Sequence, residues 1–327
     1  MGLSKLKTQS GRRALVGLLL FAGALTLYVS VLAPGALGGD PGELQFVPVI
    51  LGLPHPTGTP LYVLLSKLWS MLPLDSSVAW RLNSLAAVSA ALAVTLVFWG
   101  GLVLYDRMVP AMVAALSLAL GLTFMEQATL SDKYAFNAMM VALVVALALH
   151  WGKTRSVRGL YLLALALGLS LAHHRTALLL TIPVFGYVWW HERARLWRDR
   201  RRLLVLAGLI LAPLLFYLYL PWAEARDLPP NAWHPQGIKG WIDYLADRGY
   251  SAQVYVNPEE TIQRLGFYAS TLLRDFTAAG VVLGMAGLLW VLRKRPADGI
   301  LLAVIFAFQA FLSANYHVPR QWVFFIP

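Results

Sequence analysis

The 327 residues contain no cysteine, which excludes disulfides, thiol catalysis and cysteine-ligated metal centres. Charge is scarce as well. Charged residues make up 13% of the chain, against about 25% in an ordinary soluble domain. Acids are scarcer than bases, 16 against 27, which leaves a net charge of +11. Several motifs are also missing. There is no Walker loop, no GxGxxG after a strand, no HExxH and no GxSxG, which argues against a nucleotide-driven pump and against a membrane-bound serine or zinc protease.

What is there is apolar sequence in long runs. Nine segments have the length and character of helical spans: Ala14–Ala33, Leu82–Leu104, Val109–Met125, Tyr134–Trp151, Gly159–Ala172, Thr176–Trp190, Leu203–Pro221, Phe276–Leu292 and Gly299–Ala314. The chain is therefore expected to be all-α, a single polytopic bundle over residues 1–327. The first segment follows Lys5, Lys7, Arg12 and Arg13 as a signal peptide would, but it is too long for a typical h-region and reads as a retained span. The fifth and sixth, taken as one helix, would be far too long for a bilayer, so a break is expected at His173-His174-Arg175. The last residues, 321–327, look like the start of another apolar segment, and the chain reads as a fragment or as shorter than its relatives.

Charge orients the bundle. With the N-terminus in the cytoplasm, the short inner segments around Lys5–Arg13, Arg107, Lys153–Arg158, Arg193–Arg202 and Arg293–Arg295 carry 17 of the 27 basic residues. The basic balance then meets anionic lipid; no nucleic-acid surface is expected. Twelve of the 16 acids fall outside, so any chemistry is expected on the extracytoplasmic face. Two outer loops are long. The first holds two apolar helix candidates, Leu44–Leu53 and Leu61–Leu72, each too short to span and expected at the interface. The second carries Trp233, Trp241, Tyr244, Tyr250, Tyr255 and Tyr268, rings that sit at headgroup level or stack on sugars.

The polar residues gather in few places. Asp40 and Glu43 stand three apart among Gly38, Gly39, Pro41 and Gly42, so a helix starting near Pro41 would turn both carboxylates the same way. In that case Asp40 is also a natural N-cap. Otherwise it is placed to take a proton from a hydroxyl or to hold a divalent cation. His55, between two prolines and just before Gly58, is either a satisfied structural histidine or a ligand for phosphate or sugar. Asp132, with Lys133 and Tyr134, opens the fourth span. It either marks the membrane boundary or is a second acid facing Asp40 across a cleft. His173, His174 and Arg175 suit a lipid-linked phosphate. Two adjacent histidines make no metal site without further ligands, and no metal site is assigned. Arg320 is a weaker phosphate candidate.

These residues resemble the signature "D-S-G-E … H-P-P-G-Y/T-P-L" of a family of membrane glycosyltransferases. It includes the animal transmembrane protein O-mannosyltransferase that modifies plexin-type receptors, and it is similar in plan to the GT-C superfamily. The match runs through Gly39-Asp40-Pro41-Gly42-Glu43-Leu44 and Leu53-Pro54-His55-Pro56-Thr57-Gly58-Thr59-Pro60. Further stretches resemble later family motifs: 131–137, 168–176, Leu218–Pro221 with Asn231-Ala232-Trp233, Tyr316–Pro319 and Phe325–Pro327. The chain departs from the pattern at Pro41, where the family has serine. It departs again at Asp132, an acid displaced by Lys133, and at Arg320, which replaces an acid. The resemblance implies a bacterial member in the inner (plasma) membrane. It implies inverting transfer of a sugar, with mannose a candidate, from a polyprenyl-phosphate donor to a hydroxyl on a protein or glycan. Asp40 would be the general base, and Glu43 would orient the acceptor or share the proton. His55, Gly58, Asp132, Tyr134 and Trp233 would line the substrate site, and His173, His174 and Arg175 would serve the lipid phosphate. Whether a divalent metal takes part is left open. The competing reading is a transporter or flippase for a lipid-linked saccharide. Transporters tend to place polar groups at the midplane of broken helices; here they collect at the outer ends, which favours the enzyme.

Overall fold

The structure is a computed structural model and describes all residues except Met1, Asp75, Trp197, 229–232, 252–253 and 317–327. Among the described residues there is no β-strand; an isolated antiparallel bridge pairs Val254 with Tyr316. The helices in chain order are α1 (Gly2–Ser30), α2 (Gly39–Ile50), α3 (Pro60–Ser70), α4 (Val78–Tyr105), α5 (Met108–Leu120), α6 (Leu122–Ala128), α7 (Lys133–Thr154) and α8 (Val157–His173). They continue as α9 (Leu178–Leu196), α10 (Arg200–Leu211), α11 (Tyr219–Glu224), α12 (Gly237–Leu245), α13 (Arg248–Ser251), α14 (Pro258–Lys294) and α15 (Pro296–Asn315).

Apolar length accounts for the long elements. Six runs are long and apolar enough to cross a membrane, namely Gln9–Ser30, α4, α7, Arg200–Glu224, α14 and α15; the bent pair α5 and α6 makes a seventh. The shorter apolar α8 ends at His173, and α9 begins at Leu178 after a 3-10 turn over Arg175–Ala177, so the expected break at His173–Arg175 is present. The nine expected segments fall largely on helices, with three differences in shape. The third is not straight: α5 and α6 meet at 66°, across Gly121, which takes an extended conformation. The seventh runs from α10 through a 3-10 stretch, Ala212–Leu218, into α11. The eighth is only the second half of α14. The preceding residues, assigned to a loop from sequence, are helical. Asn257 caps them by accepting from the Glu259 N–H, Pro258 fits the first turn, and Glu259 and Glu260 meet the positive helix end. The backbone leaves helical geometry at Thr277 (φ +63°).

The packing is built on α4. Ala86, Ala87, Ala90, Ala91 and Ala93 are fully buried on it. Such small side chains let neighbouring helices approach closely, the usual basis of association where both helix and lipid are apolar. Helices α1, α5 and α7 pack on α4, α8 packs on α7, and α15 packs on both α9 and α14. Helices α2 and α3, at 12 and 11 residues, reach only about 16–18 Å, well short of a bilayer core of about 30 Å. They cover one end of the bundle, where Leu44 and Tyr62 pack with Leu85 of α4 and with Phe136 and Met140 of α7.

Candidate active site

The motif loop meets the start of α7 at that end. Helix α2 begins at Gly39 with Gly38 in the cap position, so Asp40 lies inside the first turn. The N-cap reading of Asp40 is thereby corrected. The cause is a close approach. A Cβ on Gly42 would lie 2.1 Å from the Leu37 carbonyl oxygen, and the tight fold-back that glycine allows there brings the first turn forward. A buried amide network fixes the approach to this helix. Gln45 Nε2 donates to Asn83 Oδ1 at 2.8 Å, and the Leu37 N–H donates to Gln45 Oε1 at 2.8 Å. Asn83 Oδ1 also accepts from the Ser131 N–H at 2.9 Å, and Asn83 Nδ2 donates to the Ala33 carbonyl at 2.8 Å. One side chain of α4 thus ties the segment before Asp40 to the loop before Lys133.

Lys133 is the centre of the site, and the sequence reading passed over it. Its ammonium lies 3.0 Å from Asp40 Oδ2, 3.2 Å from His55 Nε2 and 3.6 Å from Asp132 Oδ1. Its side chain is 7% exposed, while that of Asp40 is 52% exposed, so the buried cation presents a carboxylate that still reaches solvent. An ammonium only donates. His55 Nε2 must therefore be the acceptor, and the ring proton sits on Nδ1, which faces Glu43 Oε2. The other oxygen of Glu43 accepts the His55 backbone N–H at 2.7 Å. Asp40 and Glu43, expected to face the same way, both approach His55, at opposite nitrogens of its imidazole; Asp40 Oδ2 is 3.7 Å from Nε2. Glu43 spends both oxygens on holding His55.

Asp132 does not face Asp40 across an open cleft; the Lys133 ammonium lies between them. It also caps α7 by accepting the Lys133 N–H at 2.7 Å. Burial pushes its carboxyl above the ordinary range, and the Lys133 ammonium pulls the other way. Tyr134 offers its ring face to the same ammonium at 5.0 Å.

The His55 loop is held from the far end of the chain. Tyr219 and Tyr244 donate to the Gly52 and Pro54 carbonyls, each at 2.6 Å. Gly58 takes φ +88°, and a Cβ there would lie 2.6 Å from Leu220 Cδ1. The glycine thus meets the protein's own Leu220. Beside this loop lies an open cavity of about 460 Å³, whose wall includes Pro56, Trp233, Lys239, Asp243, Tyr244 and Arg248. A second cavity, of about 570 Å³, is lined by Pro34, Leu74, Ser76, Ser77 and Trp80.

The three residues expected at a lipid phosphate have separate environments. His173 is fully buried, donates from Nε2 to the Lys133 carbonyl at 3.2 Å, and packs against Phe136 and Tyr62. His174 Nδ1 accepts the Thr176 N–H at 3.3 Å and lies 2.8 Å from its hydroxyl; burial holds this imidazole well below its usual range. Arg175 pairs with Asp247 at 3.0 Å and donates to the Tyr316 hydroxyl and the Ala246 carbonyl. The expected motif residues Asn231 and Ala232, and His317 to Pro327 with Arg320, lie outside the described residues.

The bundle and its polar end define a multi-pass membrane protein with the fold of ArnT. Its likeness to the crystal structure of ArnT from Cupriavidus metallidurans bound to undecaprenyl phosphate has a TM-score of 0.64 at 12% identity and covers 98% of this chain and 57% of that one. Residues 40–198, which carry Asp40, Glu43, His55 and Lys133, match the model of the family described as the protein O-mannosyl-transferase TMEM260 N-terminal domain. Two relatives share that name. The protein O-mannosyl-transferase tmem260 of Dictyostelium discoideum is 23% identical over 295 residues, 83% of this chain and 36% of that protein. The Mus musculus protein is 27% identical over 236 residues, 71% of this chain and 34% of its own length. The chain thus spans about a third of these relatives.

Proposed function

We propose that the protein is a membrane glycosyltransferase that moves a sugar from a polyprenyl-phosphate carrier to a hydroxyl acceptor. The observation that carries this reading is the half-exposed Asp40 carboxylate, held 3.0 Å from a buried ammonium and next to His55, whose loop borders an open cavity at Pro56. The names of the relatives and the carrier lipid in the ArnT structure support it.

In the proposed step, Asp40 accepts the proton of the acceptor hydroxyl as that oxygen attacks the anomeric carbon. The bond from that carbon to the phosphate oxygen breaks, and polyprenyl phosphate leaves with the electron pair. Attack opposite the leaving group inverts the configuration. Asp40 then returns its proton to water, which its exposure allows. Lys133 holds the Asp40 carboxylate in place. Glu43 acts through His55, as a positioning residue. The cavity beside Pro56 and Trp233 receives the acceptor, a protein or glycan, and Trp233 offers a ring face to it. Arg175 lies at the edge of this region and remains the candidate for the carrier phosphate. Positive charge on the opposite short loops supports an extracytoplasmic site.

The test uses purified protein with a polyprenyl-phosphate sugar and an acceptor, comparing wild type with Asp40→Asn. Loss of general-base catalysis is expected to lower the rate about 10²- to 10⁴-fold. Undiminished transfer by Asp40→Asn overturns the assignment of the base. Donor binding without product in both proteins points to a carrier-lipid transporter.

A further inference from the structure

Asp40, Glu43 and His55 each bring a ligand atom within 4.8 Å of the others, the kind of set that holds a divalent cation. A cation is already there. The Lys133 ammonium, with three N–H donors, faces Asp40 Oδ2, His55 Nε2 and Asp132 Oδ1. We propose that Lys133 is a built-in substitute for a divalent metal, and that the protein binds no metal at this site.

Three features carry the argument. The ammonium is in hydrogen-bond range of two of the three would-be ligands, so a metal ion bound to both would sit against a like charge. The lysine side chain is 7% exposed and anchored at the first residue of α7, so it has no solvated position to retreat to. The third would-be ligand is also engaged, because Glu43 accepts from both the backbone N–H and the ring of His55. Lys133 thus supplies what a metal would supply: it holds the Asp40 carboxylate, sets the His55 tautomer and balances the buried charge of Asp132. The claim concerns the site's occupancy and stands whether or not sugar transfer is found.

The experiment titrates the tag-free full chain in detergent with Mn²⁺, followed by electron paramagnetic resonance, and with Zn²⁺, followed by calorimetry. Wild type and Lys133→Arg, which keeps the charge, are expected to bind no stoichiometric ion. Lys133→Met is expected to gain one equivalent, lost again on adding His55→Ala. One equivalent bound by wild type and lost in Asp40→Asn overturns the proposal, as does a folded Lys133→Met that binds nothing. Should Lys133→Met fail to fold, wild type and Lys133→Arg still decide: an equivalent bound by either one at Asp40 overturns it, and none bound by both supports it.

Discussion

Lys133 and Asp40 are 93 residues apart in the chain and 3.0 Å apart in the fold, and a second acid, Asp132, shares the same ammonium at 3.6 Å. Exposure separates the two acids: 52% for the Asp40 side chain and 7% for that of Asp132. Solvent screens Asp40, so Asp40→Asn is expected to cost less than about 1 kcal/mol of stability. Asp132→Asn keeps a good helix cap but removes a buried charge partner, and is expected to cost about 1.5–3 kcal/mol. Activity should fall in the reverse order. Thermal unfolding and transfer rates on the same two preparations check the crossing; equal stability losses would contradict the burial argument.

The apolar spans were legible in the sequence because a bilayer imposes a minimum length on them, and Asp40, Glu43 and His55 were legible because they share one short polar stretch. Lys133 was not. From sequence it is a basic residue at the end of an apolar run, where snorkelling is the ordinary expectation. Only the fold shows that it turns inward, because its partners come from residues 40 and 55. Asn83 and Gln45 were invisible for the same reason: a lone amide in an apolar segment gives no sign of what it bonds. The first half of α14 was missed since its polar face reads as loop, although Asn257-Pro258-Glu259-Glu260 is a helix-start signal in plain view.

Gly58 gives a test of backbone against packing. At φ +88° a side chain is strained by about 1–2 kcal/mol, and the new Cβ also meets Leu220. Gly58→Ala should lower the melting temperature, and adding Leu220→Ala should not restore it, since the dihedral strain persists and Leu220 is itself buried. Full recovery in the double variant would show that the clash alone matters.

His174 sets a pH dependence with a definite sign. Its folded-state affinity for protons lies well below the ordinary value of 6.5, through burial first and then the nearby His173 and Lys133. Between that depressed value and about 6.5 the unfolded chain binds the proton and the folded chain does not. Stability from this group is therefore complete above about pH 6.5 and falls as the pH drops. His174→Asn, which keeps a short acceptor near the Thr176 N–H, should flatten the melting curve between pH 7.5 and 5.5. An unchanged slope would assign the dependence to other histidines.

Asn83 supports the site without touching it. It is fully buried, accepts from Gln45 and Ser131, and donates to Ala33. Asn83→Ala would leave two donors and one carbonyl without this partner. Each unsatisfied buried group costs about 1–3 kcal/mol, so a drop of several kcal/mol is expected, reduced where water enters. Asn83→Asp keeps the acceptor for both donors, and in its protonated form its O–H can still donate to the Ala33 carbonyl, so it should be milder. The two segments joined by Asn83 carry Asp40 and Lys133, so their spacing should loosen. In the proposed transfer reaction, kcat should then fall more than KM rises, and hydrogen exchange should increase at 33–45 and 129–133 ahead of the rest of the bundle. A uniform rise in exchange across all helices would instead make Asn83 a general stability residue with no special bearing on the site.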